Sequence, residues 1–385
     1  MRFVASADWQ LGKQANFLPE EARSRYWQAR LDAVARIGEV AATEEAEFVV
    51  VAGDVFESNQ LKRGILAQTF DVLQGFPVPV YLLPGNHDPL DAASIYTSTT
   101  WQRNCPENVH VLTQSGVDRT WETKEGERIE LIAAPWFSKA PHTDLVREAV
   151  ERALEEEADP GEGLLRVVIG HGAVSSTSPA DAADLVDDTY LESQLRAGTI
   201  DFVVLGDHHS ALEVAPRLWY PGTPEVTAER EARPGHVLVV DLTSTPAAAH
   251  VQEIEVGEWA LRAMSFDVNS EEDLAQMRAD LQRLPNKART GIKLALTGTL
   301  TVRNQARLEG IIEDLQPLFA RLQIWESHTD LAVMAEDEDF QDLGLADFAL
   351  DAVAELQAAT GTGGEDAQEA ADALALLFRL VGEDR

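Results

Sequence analysis

Short apolar runs alternate with longer amphipathic stretches through the first 255 residues of the chain. The run "FVVVA", Phe48–Ala52, is apolar at every position, whereas Glu20–Ala42 repeats apolar residues every three or four positions. The first pattern predicts a strand buried on both faces, and the second predicts an amphipathic helix. Strands of this kind connected by helices indicate a layered α/β domain.

The same reasoning places the other elements of this first domain. Strands are predicted at Arg2–Ala7, Phe48–Ala52, Val78–Leu83, His110–Leu112, Ile129–Ala133, Leu165–Ile169, Phe202–Leu205 and His236–Leu242. Helices are predicted at Glu20–Ala42, Gln60–Gln74, Thr143–Glu157 and Tyr190–Ala197. Because 385 residues exceed the usual size of one domain, further domains are expected.

A second, smaller β-α-β-α-β pattern begins near Trp259. Its predicted strands are Ala260–Asp267, Gly291–Thr297 and Leu322–Glu326, and its predicted helices are Ser270–Arg283 and Asn304–Phe319. The acidic segment "EDEDFQDLG" follows, and then two amphipathic helices are predicted at Asp347–Ala359 and Asp366–Val381. We therefore predict three domains: 1–258, 259–327, and an acidic helical tail at 328–385.

Polar side chains follow five predicted strands of the first domain, directly where each strand ends. They are Asp8 and Gln10; Asp54; Asn86, His87 and Asp88; His171; and Asp207, His208 and His209. Ligands of open α/β sheets bind at the carboxyl ends of the strands, and neighbouring glycines allow the sharp turns this needs. Each group alone could be a helix cap, a turn or a loop histidine. Five in succession favour a shared metal site.

The residue types narrow the choice of metal. Carboxylates, an amide oxygen and imidazoles without thiolate suit Mn²⁺, Mg²⁺ or Fe²⁺ better than structural zinc. The groups outnumber the ligands of one ion. Two ions roughly 3.5–4 Å apart, bridged by one carboxylate, are a common arrangement for hydrolysing phosphate esters. The sequence therefore predicts two divalent ions, with Mn²⁺ expected first.

The order Asp-x-(His), Gly-Asp, Gly-Asn-His-Asp, Gly-His and Gly-(His)-x-His resembles the signature of calcineurin-like metallophosphoesterases. Within that superfamily, "ADWQLGK", "LGDHHSALEV" and "WYPGTPE" are most similar to the SbcD-type exonucleases of DNA double-strand-break repair. The resemblance covers about residues 1–225 by motif and the second domain by layout alone. It implies an α/β fold built as a four-layer β-sandwich flanked by helices, a small α/β cap that binds DNA, and a helical C-terminal tail.

Carried over to this chain, the resemblance implies two metal sites and a catalytic pair. The first ion would take Asp8, Gln10, Asp54 and His209. The second would take Asp54, Asn86, His171 and Asp207, so that Asp54 bridges the two. His87 would be the catalytic histidine, and Asp88 would orient it.

Two of these ligands depart from the family pattern. Gln10 and Asp207 stand where the family usually has histidine, and both keep an oxygen donor. Residues two apart face the same way in an extended segment, so Asp207 and His209 are expected to converge while His208 points elsewhere. His208 is therefore given no ligand role.

The net charge of −35 bears on the substrate and the partners. From Glu326 to Arg385 the chain has 16 acidic and 2 basic residues. On charge alone nucleic acid would be repelled, so the predicted cations must supply local positive charge. Candidate DNA contacts in the cap are Lys287, Arg289, Lys293 and Arg303.

The predicted tail helices carry two apolar stripes: Leu350, Val353 and Leu356, then Leu374, Leu377 and Leu380. These stripes suit the groove of a coiled-coil SMC-like ATPase, as the resemblance implies, or they pack back on the chain. A homodimer is a further option.

The remaining features concern location. No apolar run approaches the roughly 20 residues that span a bilayer, and the N-terminus lacks a signal-peptide pattern. Cys105 is the only cysteine, so it is interpreted as a turn residue and no intrachain disulfide forms. We expect a cytoplasmic protein with no membrane contact.

The best interpretation is a two-metal phosphodiesterase that acts as a DNA exo- or endonuclease of double-strand-break repair with a coiled-coil ATPase. Two alternatives stay open. One is a phosphodiesterase of the same fold acting on nucleotides or small diesters, which the acidic surface favours. The other is a non-catalytic DNA-end-binding scaffold, for which the substitutions at Gln10 and Asp207 are the support.

Overall fold

The structure is a computed structural model that describes residues 1–123, 126–156, 163–176, 185–242, 249–334 and 347–360, with 367, 369–370 and 373–374 beyond them. The chain divides into two compact units. The first unit contains Met1–Asn16 and Arg23–Trp259, and the second contains Phe17–Ala22 and Ala260–Arg385. Within the described residues, no helix is both long and apolar enough to cross a membrane.

Strands and helices alternate along most of the first unit. Its strands are β1 (Arg2–Ser6), β2 (Phe48–Val51), β3 (Val80–Leu82), β4 (Val109–Val111), β5 (Gly116–Glu122), β6 (Arg128–Ala133), β7 (Leu164–His171), β8 (Ala173–Val174), β9 (Leu185–Val186), β10 (Phe202–Gly206), β11 (Leu212–Ala215), β12 (Leu218–Tyr220), β13 (His236–Leu242) and β14 (Ala249–Glu255). Its helices are α1 (Glu20–Thr43), α2 (Arg63–Gln74), α3 (Thr99–Asn104), α4 (Leu145–Glu156) and α5 (Asp188–Ala197).

Two six-stranded mixed sheets form the centre of this unit. The first has the order β14-β13-β1-β2-β3-β4, and the second has the order β11-β12-β10-β7-β6-β5. The strands β1 to β4 are parallel to one another, as are β6, β7, β10 and β12. Val4 pairs with Val49, and Val204 pairs with Ile169. Parallel pairing brings the carboxyl ends of neighbouring strands to one edge of each sheet.

Apolar side chains on both faces of β1 explain the layered packing. Phe3 and Ala5 lie in a core shared by strands of both sheets, whereas Val4 lies in a core that contains residues of α1 and α2. A third core joins the other face of the second sheet to α4 and α5. The layers are therefore helix, sheet, sheet and helix, and the predicted α/β class is confirmed.

The second unit is a smaller parallel sheet with helices. It contains β15 (Ala260–Asp267), α6 (Glu271–Arg283), β16 (Thr290–Thr301), α7 (Val302–Leu315), β17 (Arg321–Ile324), β18 (Asp330–Met334) and α8 (Asp347–Thr360). The side chain of Ser270 caps α6 by accepting from Asp273 N, and Thr301 caps α7 in the same way from Asn304 N. Leu274, Met277 and Leu281 then face the core of this unit.

One part of the predicted tail is a strand. We expected residues from 328 onward to be acidic and helical, but Asp330–Met334 pairs in parallel with Thr297–Thr301 of β16. The run "DLAVM" is short and is followed by an acidic segment, so its apolar residues did not predict a strand. Helix α8 matches the predicted helix Asp347–Ala359. Most of the predicted helix Asp366–Val381, including Leu377 and Leu380, lies outside the described residues.

Candidate metal centre

The loops that follow β1 and β2 run side by side and bring two aspartates together. Asp8 N donates to Gly53 O at 3.1 Å, and Gln10 N donates to Asp54 O at 2.8 Å. Both carboxylates are buried, with 0% of Asp8 and 2% of Asp54 exposed. The register of two parallel strands therefore places two charged groups in the interior, where they need a partner.

Three predicted ligands form a compact cluster. Ligand atoms of Asp8, Asp54 and His171 all lie within 4.8 Å of one another. Asn86 Oδ1 is 3.0 Å from His171 Nε2, and Asp207 N donates to both carboxylate oxygens of Asp8 at 3.1 Å. Residues from five separate segments of the chain thus lie next to one another.

The backbone is strained where several of these ligands stand. Among the described residues, positive φ angles occur at Asp8 (55°), Gln10 (44°), Asp54 (54°) and Asp207 (92°). A left-handed conformation costs a non-glycine residue about 1–3 kcal/mol and persists only where the surroundings impose it. Four predicted ligands in this conformation indicate that the loops are shaped to aim side chains.

Glycines allow the imidazole of His171 to lie against the end of β2. A Cβ on Gly53, whose φ is +88°, or on Gly206 would collide with the His171 ring. We expected glycine to permit such close approach, and these two positions show it.

The tautomer of His171 follows from its neighbours. Its Nδ1 is 2.9 Å from Ala52 O, a pure acceptor, so Nδ1 carries the proton in the neutral ring. The lone pair on Nε2 then faces Asn86 Oδ1, which is another acceptor. With the amide oxygen on this side, the two acceptors 3.0 Å apart need a cation or a second proton between them, whereas the opposite amide orientation would donate to Nε2. This arrangement fits a metal ion.

The pKa values indicate the same demand for positive charge. Burial alone would lower the pKa of His171, but Asp54, Asp8 and Asp207 raise it to about 9. Burial raises the pKa of Asp8 to about 7, although His209 and His171 act in the opposite direction. The cluster therefore holds extra protons when it has no other cation, and a divalent ion would displace them.

His87 lies at the mouth of the cluster. Its Nδ1 is 3.0 Å from Glu57 O, and its Nε2 is 3.8 Å from Asp54 Oδ2. The side chain is 36% exposed, so a substrate can reach it. Its backbone N donates to Asp54 Oδ1 at 2.9 Å, which fixes the loop to the predicted bridging ligand.

Asp88 does not hold His87, in contrast to our expectation. The fully buried carboxylate accepts from Gly85 N at 2.8 Å, from Phe56 N at 3.0 Å and from the Tyr96 hydroxyl at 2.6 Å. The imidazole is instead held by the carbonyl of Glu57. Adjacent residues of a turn point in different directions, so sequence proximity gave the wrong partner. Asp88 joins the loops that carry His87 and Asp54.

Sequence reasoning missed the partner of His209. Its Nδ1 lies 2.8 Å from Glu231 Oε1 and 2.8 Å from Thr227 Oγ1. Burial alone would lower the pKa of His209, but Glu231 and Asp8 raise it. Because the Glu231 carboxylate can only accept, it holds the proton of the neutral ring on Nδ1 and leaves the Nε2 lone pair for a ligand role, as carboxylates do beside metal-binding histidines.

Gln10 and Lys13 form a second missed contact. Lys13 Nζ donates to Gln10 Oε1 at 2.7 Å, and Gln10 Nε2 lies 3.3 Å from His209 Nε2. Lys13 Nζ is also 3.9 Å from Glu57 Oε2, a buried atom with no hydrogen-bond partner among the described residues. The sequence motif "ADWQLGK" contains Lys13 but predicts no separate role for it.

Thr223 of the motif "WYPGTPE" and Arg30 of α1 contact the loop that carries Asp8. Thr223 Oγ1 lies 2.9 Å from Asp8 O, and the buried guanidinium of Arg30 donates to Trp9 O and, at 3.0 Å, to the Tyr26 hydroxyl. Glu225 accepts from Trp259 N and Glu258 N, both at 3.0 Å. The contacts of Thr223 and Arg30 hold the strained "DWQ" turn in place.

The remaining predicted residues are dispersed. His208 is exposed, and its Nδ1 is 2.9 Å from Ser210 O. In the second unit, Lys287 and Arg289 precede β16, Lys293 lies on it, and Arg303 follows it. A strand rises about 3.3 Å per residue, so the ends of β16 are roughly 36 Å apart. Lys287 and Arg289 therefore lie at one end of β16 and Arg303 lies at the other, and a role of the four residues in DNA binding stays a prediction.

Comparisons with known proteins agree with this centre. A sequence model of the family described as calcineurin-like phosphoesterase matches residues 1–211, more than half of the chain. The chain belongs to this family. Membership implies a metal-dependent phosphoester hydrolase. The predicted superfamily is confirmed, and Asp8, Asp54 and His171 lie within the matched region.

Two relatives share sequence with this chain. The chain is 24% identical over 335 residues to the uncharacterized metallophosphoesterase YhaO of Bacillus subtilis, covering 82% of this chain and 77% of YhaO. It is 33% identical over 94 residues to the SbcD component of the nuclease SbcCD of Rhodobacter capsulatus, covering 23% of this chain and 22% of that protein.

Among solved structures, the protein TT1561 of Thermus thermophilus matches with a TM-score of 0.40 and 12% identity. The match covers 66% of this chain and 98% of that protein. A 5'-nucleotidase precursor from the same organism matches with a TM-score of 0.38 and 14% identity over 66% of this chain and 54% of that one.

Proposed function

We propose that this chain is a two-metal phosphodiesterase that cleaves DNA, a nuclease of the SbcD type that works with a coiled-coil SMC-like ATPase. The observation that carries the hydrolytic part is the buried cluster of Asp8, Asp54 and His171, with Asn86 Oδ1 facing the His171 lone pair. The local match to the SbcD component of a nuclease and the N-terminal "ADWQLGK" support the choice of DNA.

The predicted ligand sets are kept in this proposal. Asp8, Gln10, Asp54 and His209 would hold the first ion, and Asp54, Asn86, His171 and Asp207 the second. Oxygen and imidazole donors of this kind favour Mn²⁺, with Mg²⁺ and Fe²⁺ as alternatives. When bound, the ions supply charge neutralisation and activation of water for attack on phosphorus.

The protein's own residues position the substrate and move a proton. His87 is the catalytic histidine, because it is exposed at the mouth of the cluster and its Nδ1 is held by Glu57 O. Nε2 then faces the cluster, 3.8 Å from Asp54 Oδ2. As an imidazolium whose Nδ1–H is held by Glu57 O, His87 can give its Nε2 proton to the leaving sugar oxygen. Asp54 fixes the His87 backbone and so couples this proton donor to the bridging ligand.

The proposal is tested with purified full-length protein, Mn²⁺ and two substrates: linear duplex DNA and the small diester bis(p-nitrophenyl) phosphate. We expect Mn²⁺-dependent degradation of the DNA, with no activity in Asp54→Asn. Cleavage of the small diester without any cleavage of DNA would refute the DNA assignment and favour the small-diester alternative. That alternative is supported by the net charge of −35.

Cleavage of neither substrate, in a protein that binds no Mn²⁺, would favour the non-catalytic scaffold. The ATPase partner is tested separately, by co-purification of the chain with the product of an adjacent coiled-coil ATPase gene. Loss of the complex on truncation at residue 346 would assign docking to the tail.

A further inference from the structure

The side chain of Lys13 determines how Gln10 is oriented. Its ammonium has only donors, so the amide atom 2.7 Å away must be the oxygen. The other end of the amide, the NH₂ group, therefore points toward His209 Nε2 at 3.3 Å. Lys13 thus resolves the ambiguity that an isolated amide would leave.

The far side of His209 fixes what Gln10 meets there. Glu231 Oε1 is 2.8 Å from Nδ1, so in the neutral ring Nδ1 carries the proton and Nε2 carries the lone pair. The NH₂ group of Gln10 has only donors, so the ring beside it is in this neutral form. The Gln10 NH₂ group donates to that lone pair. Lys13, Gln10 and His209 consequently form a chain of hydrogen bonds that starts at an ammonium ion and ends at a carboxylate.

These hydrogen bonds engage two ligand atoms that belong only to the first predicted metal site, Gln10 Oε1 and His209 Nε2. The Gln10 oxygen is bound by Lys13, and the His209 lone pair is bound by Gln10. Of the first set, only Asp8 and Asp54 keep their oxygens directed at the cluster with His171. The Gln10 oxygen is turned away from the His209 lone pair, so the first set must rearrange before its four donors can hold one ion, whereas the cluster around His171 is already assembled.

We propose that Lys13 is a positioning residue that weakens the first metal site through Gln10. An ion at that site has to displace the ammonium from the Gln10 oxygen and the amide from His209, whereas the site around His171 needs no such change. The protein therefore binds one divalent ion tightly, around His171, and a second ion much more weakly, at the site that contains Gln10, which is thus the second site to fill. This inference rests on the proposed metal-dependent function.

The test is an equilibrium titration of the metal-free full-length protein with Mn²⁺ alone. Binding is measured by isothermal titration calorimetry and by electron paramagnetic resonance. The wild type should bind one Mn²⁺ tightly and a second at least tenfold more weakly. Lys13→Met should tighten the second site about tenfold or more, since a hydrogen bond from a charged group no longer has to be broken. The affinity of the first equivalent should stay within about twofold.

Three further variants separate the proposed contact from other causes. Lys13→Arg keeps a cationic donor and should retain the weak second site. Gln10→His removes the amide without touching Lys13 and should also tighten the second site, and Lys13→Met should add less than twofold in that background. Lys62→Met removes the same charge from an exposed side chain and should change nothing.

Two results would overturn the inference alone: two equally tight Mn²⁺ ions in the wild type, or a second-site affinity in Lys13→Met within twofold of the wild type. If Lys13→Met does not fold, the Gln10→His result decides the question, and an unchanged second site there overturns it. Absence of any Mn²⁺ binding in every variant would overturn the proposed function as well, so the two failures are distinguishable.

Discussion

Asp88→Asn tests whether the carboxylate joins the two loops or orients His87. The carboxylate is fully buried and accepts hydrogen bonds from Gly85 N, Phe56 N and the Tyr96 hydroxyl. An asparagine amide has one oxygen, so its NH₂ group must face at least one backbone N–H. A buried N–H left without an acceptor costs about 1–3 kcal/mol. We expect the free energy of unfolding to fall by about 2 kcal/mol at pH 4.5, where the folded carboxyl is protonated.

The pH dependence has a definite sign. Burial, followed by repulsion from Asp54, raises the pKa of folded Asp88 to about 6, above its ordinary value of 3.8. The folded state therefore holds this proton more tightly than the unfolded state. The resulting stabilisation is present below about pH 4 and is lost as the pH rises through 6. Asparagine lacks this proton, so the deficit of Asp88→Asn should shrink between pH 4 and pH 6.5.

The assay is urea denaturation of metal-free protein, followed by tryptophan fluorescence. Trp101 is a suitable reporter because its ring centroid lies 4.9 Å from that of Tyr96 and 6.0 Å from that of Phe56. Asp91→Asn, in the same loop but partly exposed, is the control and should change the free energy by less than about 0.5 kcal/mol. Unchanged stability in Asp88→Asn, together with activity as low as in a His87 variant, would refute this reasoning and restore the orienting role.

Three further predictions follow from other groups. His87→Asn should retain bound Mn²⁺ but lower kcat by about 10²–10⁴-fold, and full activity in the variant would exclude a catalytic role. Glu231→Gln should weaken Mn²⁺ binding about tenfold at the site that contains His209, because His209 loses its charged partner. The Mn²⁺ titration described for Lys13→Met measures this, the variant should stay folded, and an unchanged affinity contradicts the prediction. Burial raises the pKa of Cys105 to about 11, so iodoacetamide should modify it about 100-fold more slowly at pH 8 than a thiol of ordinary pKa. An alkylation rate equal to that in urea would contradict the burial.

The strand ends of the first domain were accessible to sequence reasoning because their signal is local. An apolar run followed by glycine and a ligand residue marks Asp54 and His171 directly, and parallel pairing makes such ends converge. The alternation of apolar runs and amphipathic stretches likewise predicted the α/β layers, which the structure confirms. Edge strands such as β5 and β14 were missed because partial burial gives them mixed polar and apolar positions.

Contacts between distant loops were not accessible in this way. Glu231 meets His209 only because the chain returns after 22 residues to the same place, and no spacing rule predicts that. The partners of Asp88 depend on the direction of one turn, which sequence order does not specify. Lys13 contacts Gln10 because a turn with positive φ at Gln10 reverses the chain between them.

The most direct measurement is X-ray diffraction from crystals grown with Mn²⁺, with data collected on both sides of the manganese absorption edge. We predict an anomalous peak in contact with Asp8, Asp54 and His171, with Asn86 Oδ1 as a further ligand. A saturated crystal with no manganese among these side chains, or with manganese bound only elsewhere, would contradict the assignment of this cluster as the metal centre.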